Sequence, residues 1–154
     1  MPDTECAVLY TDGSSLGNPG PAGAGFVLYG PDRSLVAEGS IPLEPTTNNQ
    51  AEYRALIAGL HKAHACGFMH LRVRCDSELM CRQLNGSYRV RSEGLKKLYA
   101  WAKQLLGRFD TVRVQHVPRE QNTEADRLAQ QAARRAKDEA NAGPRSDAQS
   151  SSAN

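Results

Sequence analysis

The 154-residue sequence contains no apolar run approaching the ~18 residues of a membrane-spanning helix. Its opening, "MPDTECAVLY", has no basic segment ahead of an apolar stretch, so it does not read as a secretory signal. Cys6, Cys66, Cys75 and Cys81 form no C-x-x-C pair and have no histidine partners at zinc-site spacing. Scattered cysteines without an export signal are expected to be reduced thiols, and the expected compartment is the cytoplasm. There are no internal repeats. The glycine-rich "GNPGPAG" lacks the G-K-[ST] ending of a phosphate-binding loop.

What is present is an ordinary soluble composition, 40% hydrophobic and 23% charged, at a length suited to one domain with a real core. The net charge of +2 is unevenly spread. Residues 1–71 carry 3 basic and 7 acidic side chains, and residues 72–154 carry 16 and 10. Between Arg82 and Lys103 six basic residues meet a single acid. This asymmetry points weakly to a polyanionic partner, since a solvated helix face has the same look.

Alternation and turn residues mark five strands, "CAVLYTDGS", "GFVLYG", "LVAEGSIPL", "LRVRC" and "TVRVQHV". "GNPGPAGAG" reads as a turn by composition, and "PDRS" as a hairpin turn. Helices are expected from "PTTNNQ", capped by Thr47 or Asn48, to about Ala65. Others follow over "DSELMCRQLNG", over "SEGLKKLYAWAKQLLGRF" from Ser87 or Ser92, and after Pro118. The order β-β-β-α-β-α-α-β-α predicts one α/β domain. Three strands form an antiparallel meander, and the later two add in parallel to a five-stranded mixed sheet. The domain is expected to span residues 1–140, with the small, polar segment 141–154 a disordered tail.

Four acids stand out. Asp12 is expected to end the first strand and Asp76 follows the fourth. In open α/β sheets ligands bind at the carboxyl ends of strands. Glu52 falls in the first turn of its helix, on the stripe of Ala55, Leu56, Gly59 and Leu60 that should face the core. Asp126 flanks the stripe of Ala125, Leu128, Ala129, Ala132 and Ala136. Carboxylates brought together raise one another's pKa unless cations neutralise them, and all-oxygen ligands suit hard ions such as Mg²⁺ or Mn²⁺. Each acid also has an ordinary reading. Asp76 would cap "SELM", Asp126 would pair with a basic neighbour, and Glu52 would lie at the rim of the interface. Composition and spacing leave both readings open.

The motifs "YTDGSSLGNPGPAGAG", "TTNNQAEYRALIAGL", "CDSELMCRQLNG" and "HVPREQNTEADRLAQQA", in this order across residues 6–137, resemble type 1 ribonuclease H. The segments "DSEL…LNGSYRV" and "VPREQN" look closest to the shorter archaeal and bacterial branch. That branch lacks the long basic protrusion and a separate hybrid-binding domain. The resemblance implies the ribonuclease H-like fold and endonucleolytic cleavage of the RNA strand of an RNA–DNA hybrid. Two Mg²⁺ ions ~4 Å apart would serve it, with Mn²⁺ as a substitute. It maps the catalytic and metal-binding acids onto Asp12, Glu52, Asp76 and Asp126. It implies that Asp12 bridges both ions, that Glu52 also meets the RNA 2′-hydroxyl, and that products carry 5′-phosphate and 3′-hydroxyl ends.

The same resemblance assigns substrate contacts to Gly13, Ser14, Asn18, Thr47, Asn48, Asn49, Arg119 and Asn122. His116 is an auxiliary candidate whose plainer reading is structural, with Arg119 the better fit for that task. Glu78 stands where many relatives have glutamine. Arg89, Arg91, Lys96 and Lys97 would stand in for the missing protrusion or simply be solvated. Tyr88 and Trp101 are stacking candidates, Trp101 being expected instead in the core. A monomer with no membrane association and no obligate protein partner is expected. The competing functions are a related nuclease acting on double-stranded RNA or RNA–DNA junctions, and a non-catalytic hybrid-binding module, which should have lost one or more of the acids.

Overall fold

The computed structural model describes residues 6–142. Strands β1 (Ala7–Ser15), β2 (Gly20–Tyr29) and β3 (Leu35–Thr46) form the antiparallel meander, followed by helix α1 (Asn48–Ala65) and strand β4 (His70–Cys75). Helices α2 (Glu78–Leu84) and α3 (Glu93–Leu106), strand β5 (Thr111–His116), a 3-10 turn at Arg119–Gln121 and helix α4 (Thr123–Ala142) complete the chain. The sheet order is β3-β2-β1-β4-β5, with β4 parallel to both β1 and β5, as the connection lengths require. Among the described residues no helix is long and apolar enough to cross a membrane.

The main core lies between the sheet and α1, α2 and α3. Leu9, Leu28, Leu71 and Val73 from the strands meet Leu56, Leu60, Met80 and Leu105 from the helices. The stripe predicted on α1 is buried as expected, and Thr47 is its N-cap, its side chain accepting from the Gln50 N–H. Helix α4 covers the other face over β1, β2 and β3.

Several boundaries differ from the expectations. The composition of "PAGAG" is that of a turn, but β2 begins at Gly20. These residues are small because α4 lies directly on them. A Cβ at Gly23 would stand 2.4 Å from the Ala129 carbonyl oxygen, and one at Gly25 would stand 2.4 Å from that of Ala125. The helix expected from Pro118 starts at Thr123, after the 3-10 turn and a buried Asn122. At its far end α4 includes Asn141 and Ala142, which composition places in the tail. The rest of that segment lies outside the described residues.

Trp101 is not in the core. It is 45% exposed and packs edge-on against His61, because the buried side of α3 is carried by Leu95, Ala102, Leu105 and Leu106. None of the four cysteines is in a disulfide. Cys75 and Cys81 are buried with their sulfurs 2.8 Å apart, joining the end of β4 to α2. Their hydrogen bond, with burial, holds the Cys75 thiol protonated well above its usual range.

Candidate active site

The parallel β1–β4 ladder runs from Ala7 opposite Leu71 to Thr11 opposite Cys75. Asp12 and Asp76 come next on each strand, so the register itself sets the two carboxylates side by side. Asp12 does not end β1. The antiparallel pairing with β2 continues through Ser15, so Asp12 sits on a braced strand rather than in a loose turn. On the other strand Ser77 caps α2, accepting from the Met80 N–H, so Asp76 is not used as the cap.

Glu52 reaches the same place from α1, in its second turn rather than the first. The approach is close because residue 13 is glycine. A Cβ there would lie 2.2 Å from the Ala51 carbonyl carbon and 2.3 Å from the Glu52 nitrogen. The freed space lets the Gly13 N–H donate to both Asp12 Oδ1 (3.0 Å) and Glu52 Oε1 (3.2 Å). Carboxylate oxygens of Asp12, Glu52 and Asp76 lie within 4.8 Å of one another.

Gathering three acids in partial burial is costly. Burial first, then the charges of Glu52 and Asp76, push the Asp12 carboxyl up to about 10. Burial and then Asp76 push Glu52 up to about 8, with hydrogen bonds from Asp12 and Gly13 and the charge of Arg119 acting against the rise. Such a site favours positive charge. Its donors are all hard carboxylate oxygens, which fits Mg²⁺ or Mn²⁺ rather than a thiophilic metal.

Asp126 lies beside Asp12 at the margin of this cluster. It adds a hydrogen bond to Asp12, but it is not one of the three converging carboxylates. Both of its oxygens accept from Gln130 Nε2 at 3.1 Å, one helical turn along α4. No pattern in the sequence announces this restraint.

Asn122, an expected substrate contact, is only 1% exposed. Its Nδ2 donates to the Thr11 carbonyl (2.9 Å) and to Asp76 Oδ2 (3.3 Å), so it joins the start of α4 to both acid-bearing strands. The remaining predicted contacts surround the edge. Asn18 Oδ1 accepts from the Asn48 N–H, and Asn48 Oδ1 accepts from the Ser15 N–H. Both therefore brace the β1–β2 turn against α1. Thr47 is engaged as a cap, while Asn49 and Arg119 are exposed and Ser14 is partly so. His116 is exposed at the end of β5, one strand beyond Asp76. Glu78 is paired with Arg82 at 2.8 Å, which offsets its charge, and the Arg82 guanidinium covers the Tyr88 ring. Arg89, Arg91, Lys96 and Lys97 line the same stretch of chain, and Lys96 is paired with Glu93.

A reverse transcriptase-like family profile matches residues 10–132. The N-terminal RNase H domain of Rv2228c from Mycobacterium tuberculosis superposes with a TM-score of 0.84 at 43% identity, covering 87% of this chain and 97% of that one. The chain belongs to the type 1 ribonuclease H family. Ribonuclease HI of Halobacterium salinarum is 46% identical over 123 residues, 80% of this chain. LC11-RNase H1, solved in complex with an RNA/DNA hybrid, matches at 38% identity and a TM-score of 0.80, covering 84% of this chain and 98% of that one. This chain spans 62% of the full Halobacterium protein and 35% of the bifunctional Rv2228c protein.

Proposed function

We propose that the chain is an endoribonuclease that hydrolyses the RNA strand of RNA–DNA hybrids, using divalent cations held by Asp12, Glu52, Asp76 and Asp126. The observation that carries this reading is the convergence of Asp12, Glu52 and Asp76 within 4.8 Å at the sheet edge, with two of them driven towards protonation. A hybrid-bound family structure supports the substrate class.

Bound Mg²⁺ or Mn²⁺ would supply an activated water and stabilise the departing 3′-oxygen, giving 5′-phosphate and 3′-hydroxyl ends. The protein's part is to hold the ligand oxygens still beforehand. Asp12 is central, fixed by the doubly paired β1 and by the Gly13 N–H. Asn122 orients Asp76 from behind. Gln130 restrains Asp126 at the margin of the cluster, where its carboxylate would complete the ligands that hold the cations. Glu52, held by the Gly13 N–H near the start of α1, would also meet the ribose 2′-hydroxyl that separates RNA from DNA. Asn49 and Arg119, exposed around the edge, contact the substrate backbone.

The test is a cleavage panel with Mg²⁺ and with Mn²⁺, using hybrid, double-stranded RNA, single-stranded RNA and a DNA duplex carrying one ribonucleotide. Hybrid should be cut and single-stranded RNA left largely intact. Preference for double-stranded RNA or for the junction would replace the substrate assignment, and hybrid binding without cutting would mark a binding module.

A further inference from the structure

A cleft of about 340 Å³ opens between the β1–β2 ladder, the β2–β3 turn and the start of α4. Its floor follows from alternation. Leu9 and Leu28 are buried in the main core, so Val8 and Tyr10 on β1 and Val27 and Tyr29 on β2 face the other way. The register sets Val8 opposite Tyr29 and Tyr10 opposite Val27, which makes an apolar and aromatic surface. Tyr10 and Tyr29 meet edge to face with ring centroids 6.0 Å apart. Tyr10 is also fixed from β4, where Arg74 Nη1 donates to its hydroxyl at 2.9 Å. The rings are therefore preset rather than free to swing.

Two features of the walls point to a ligand. Arg33, in the β2–β3 turn, is exposed, and its guanidinium has no hydrogen-bond or ion-pair partner among the described residues. Glu124, on the α4 wall, is already paired with Arg127 at 2.9 Å. Arg33 thus brings the uncompensated charge of the cleft. Asn122, on the same wall as Glu124, is 1% exposed, and its Oδ1 is a buried acceptor without a partner among the described residues. Its Nδ2 is spent on the Thr11 carbonyl and on Asp76. Leaving such an acceptor unmet is costly, and a donor brought in from the cleft would relieve it. None of the four acids lines the cleft.

A gap left by imperfect packing would be walled by apolar side chains alone, whereas this one joins an aromatic floor, an unpaired cation and an unmet acceptor. Aromatic rings take the face of a planar base, a guanidinium takes a phosphate, and an amide oxygen takes the amino group on a base edge. The volume lies at the low end of the range of ~300–1,000 Å³ for small-molecule sites, which suits one nucleotide and not a strand. We propose that this cleft binds a nucleoside monophosphate whose base carries an exocyclic amino group. The base lies on Tyr10 and Tyr29, and the phosphate lies on Arg33. The site is separate from the acidic edge and uses no divalent cation, so it stands or falls apart from the hydrolytic reading.

The experiment is isothermal titration calorimetry of the full chain with AMP in EDTA, where no metal ion can hold phosphate at the acids. Saturable one-to-one binding is expected. Arg33 stands at φ 72°, a backbone region where glycine carries no steric cost, so Arg33→Gly removes the guanidinium and keeps the turn. It should weaken AMP by roughly tenfold, the scale of one hydrogen bond to a charged group, and leave adenosine unaltered. Tyr29→Leu should weaken AMP and adenosine alike. UMP, which lacks the amino group, should bind the parent several-fold more weakly than AMP, and hybrid hydrolysis with Mg²⁺ should be unchanged in both variants. Absence of saturable AMP binding would overturn the proposal. So would AMP binding at parental affinity in Arg33→Gly, or UMP as tight as AMP. Inorganic phosphate as tight as AMP would equally overturn it by marking a plain anion site. Displacement of AMP by blunt hybrid would do the same by moving the nucleotide to the acidic edge.

Discussion

The acidic edge and the outer face of β5 carry charge of opposite sign, and they carry it under different rules. At the edge, Asp12 is almost wholly buried and three carboxylates converge. On the outer face of β5, Thr111, Arg113 and Gln115 stand in solvent. Water screens the exposed Arg113, so its charge stands there at little cost. The buried acids have no such relief, and the metal-free protein must hold them partly protonated. Both positions come from the sheet. One lies where the β1–β4 ladder ends, the other where β5 forms the sheet's margin.

The largest expected break in this contrast is Asp12→Asn. It should lower hybrid hydrolysis by ~10²–10³-fold in single-turnover assays, the scale of losing a principal electrostatic element of a site. The circular dichroism spectrum should not change, because an amide has the shape of the protonated acid. Retained turnover would remove Asp12 from the chemistry.

Next in size is a dependence on pH. Asp12 and Glu52 have folded pKa values raised to about 10 and about 8, above ordinary values of 3.8 and 4.5. The folded state therefore binds more protons than the unfolded chain between roughly pH 4 and pH 8 to 10. Stability is greatest at the low end of that window and falls as pH rises. In EDTA, Tm should drop by several degrees between pH 5 and 9, at ~2–4 °C per kcal/mol. Mg²⁺ or Mn²⁺ should restore it at high pH, and Asp12→Asn should flatten the slope. A metal-free Tm that rises over this range would contradict the burial of the acids.

Much of this is legible in the sequence. The succession of strands and helices along the chain follows from alternation and turn residues, and the parallel addition of the later strands from connection length. The burial of Ala55, Leu56 and Leu60 follows from helical period. The placement of Asp12 beside Asp76 needs only that two strands run parallel and adjacent. What cannot be read depends on contacts between distant segments. The run "PAGAG" has turn composition, yet it is strand because the α4 backbone rests on it. Glu52 reaches Asp12 because Gly13 lets α1 approach, a steric fact that no local pattern carries. Trp101 reads as core because it is large and apolar, but the stripe of α3 is complete without it. Asn122 and Gln130 carry no motif that reveals them as partners of Asp76 and Asp126. Their roles emerge only once α4 is docked.

A smaller test concerns the link between α4 and the acidic strands. Asn122→Ala would leave the buried Thr11 carbonyl without the side-chain donor it has and free Asp76 on one side. An unsatisfied buried acceptor costs about 1–3 kcal/mol, so denaturant unfolding should show a loss of that order. Turnover should fall with it, well short of the Asp12→Asn loss. A variant as stable as the parent would mean that the Asn122 bonds are not made in solution.

The smallest expected effect is at Gln130, and it separates a restraint from a support. If its bonds only keep Asp126 from drifting, Gln130→Leu should leave stability within about 0.5 kcal/mol of the parent, since Gln130 is partly exposed. Asp126 would then be freer to turn towards the other acids. The metal concentration for half-maximal activity should fall modestly or stay constant, while kcat at saturating metal is preserved. If Gln130 instead holds Asp126 in its working position, the same change should raise the half-maximal metal concentration several-fold and lower kcat. Titrating activity against Mg²⁺ for parent and variant distinguishes the two. The second result would mean that the place of Asp126 beside Asp12 is already its functional geometry.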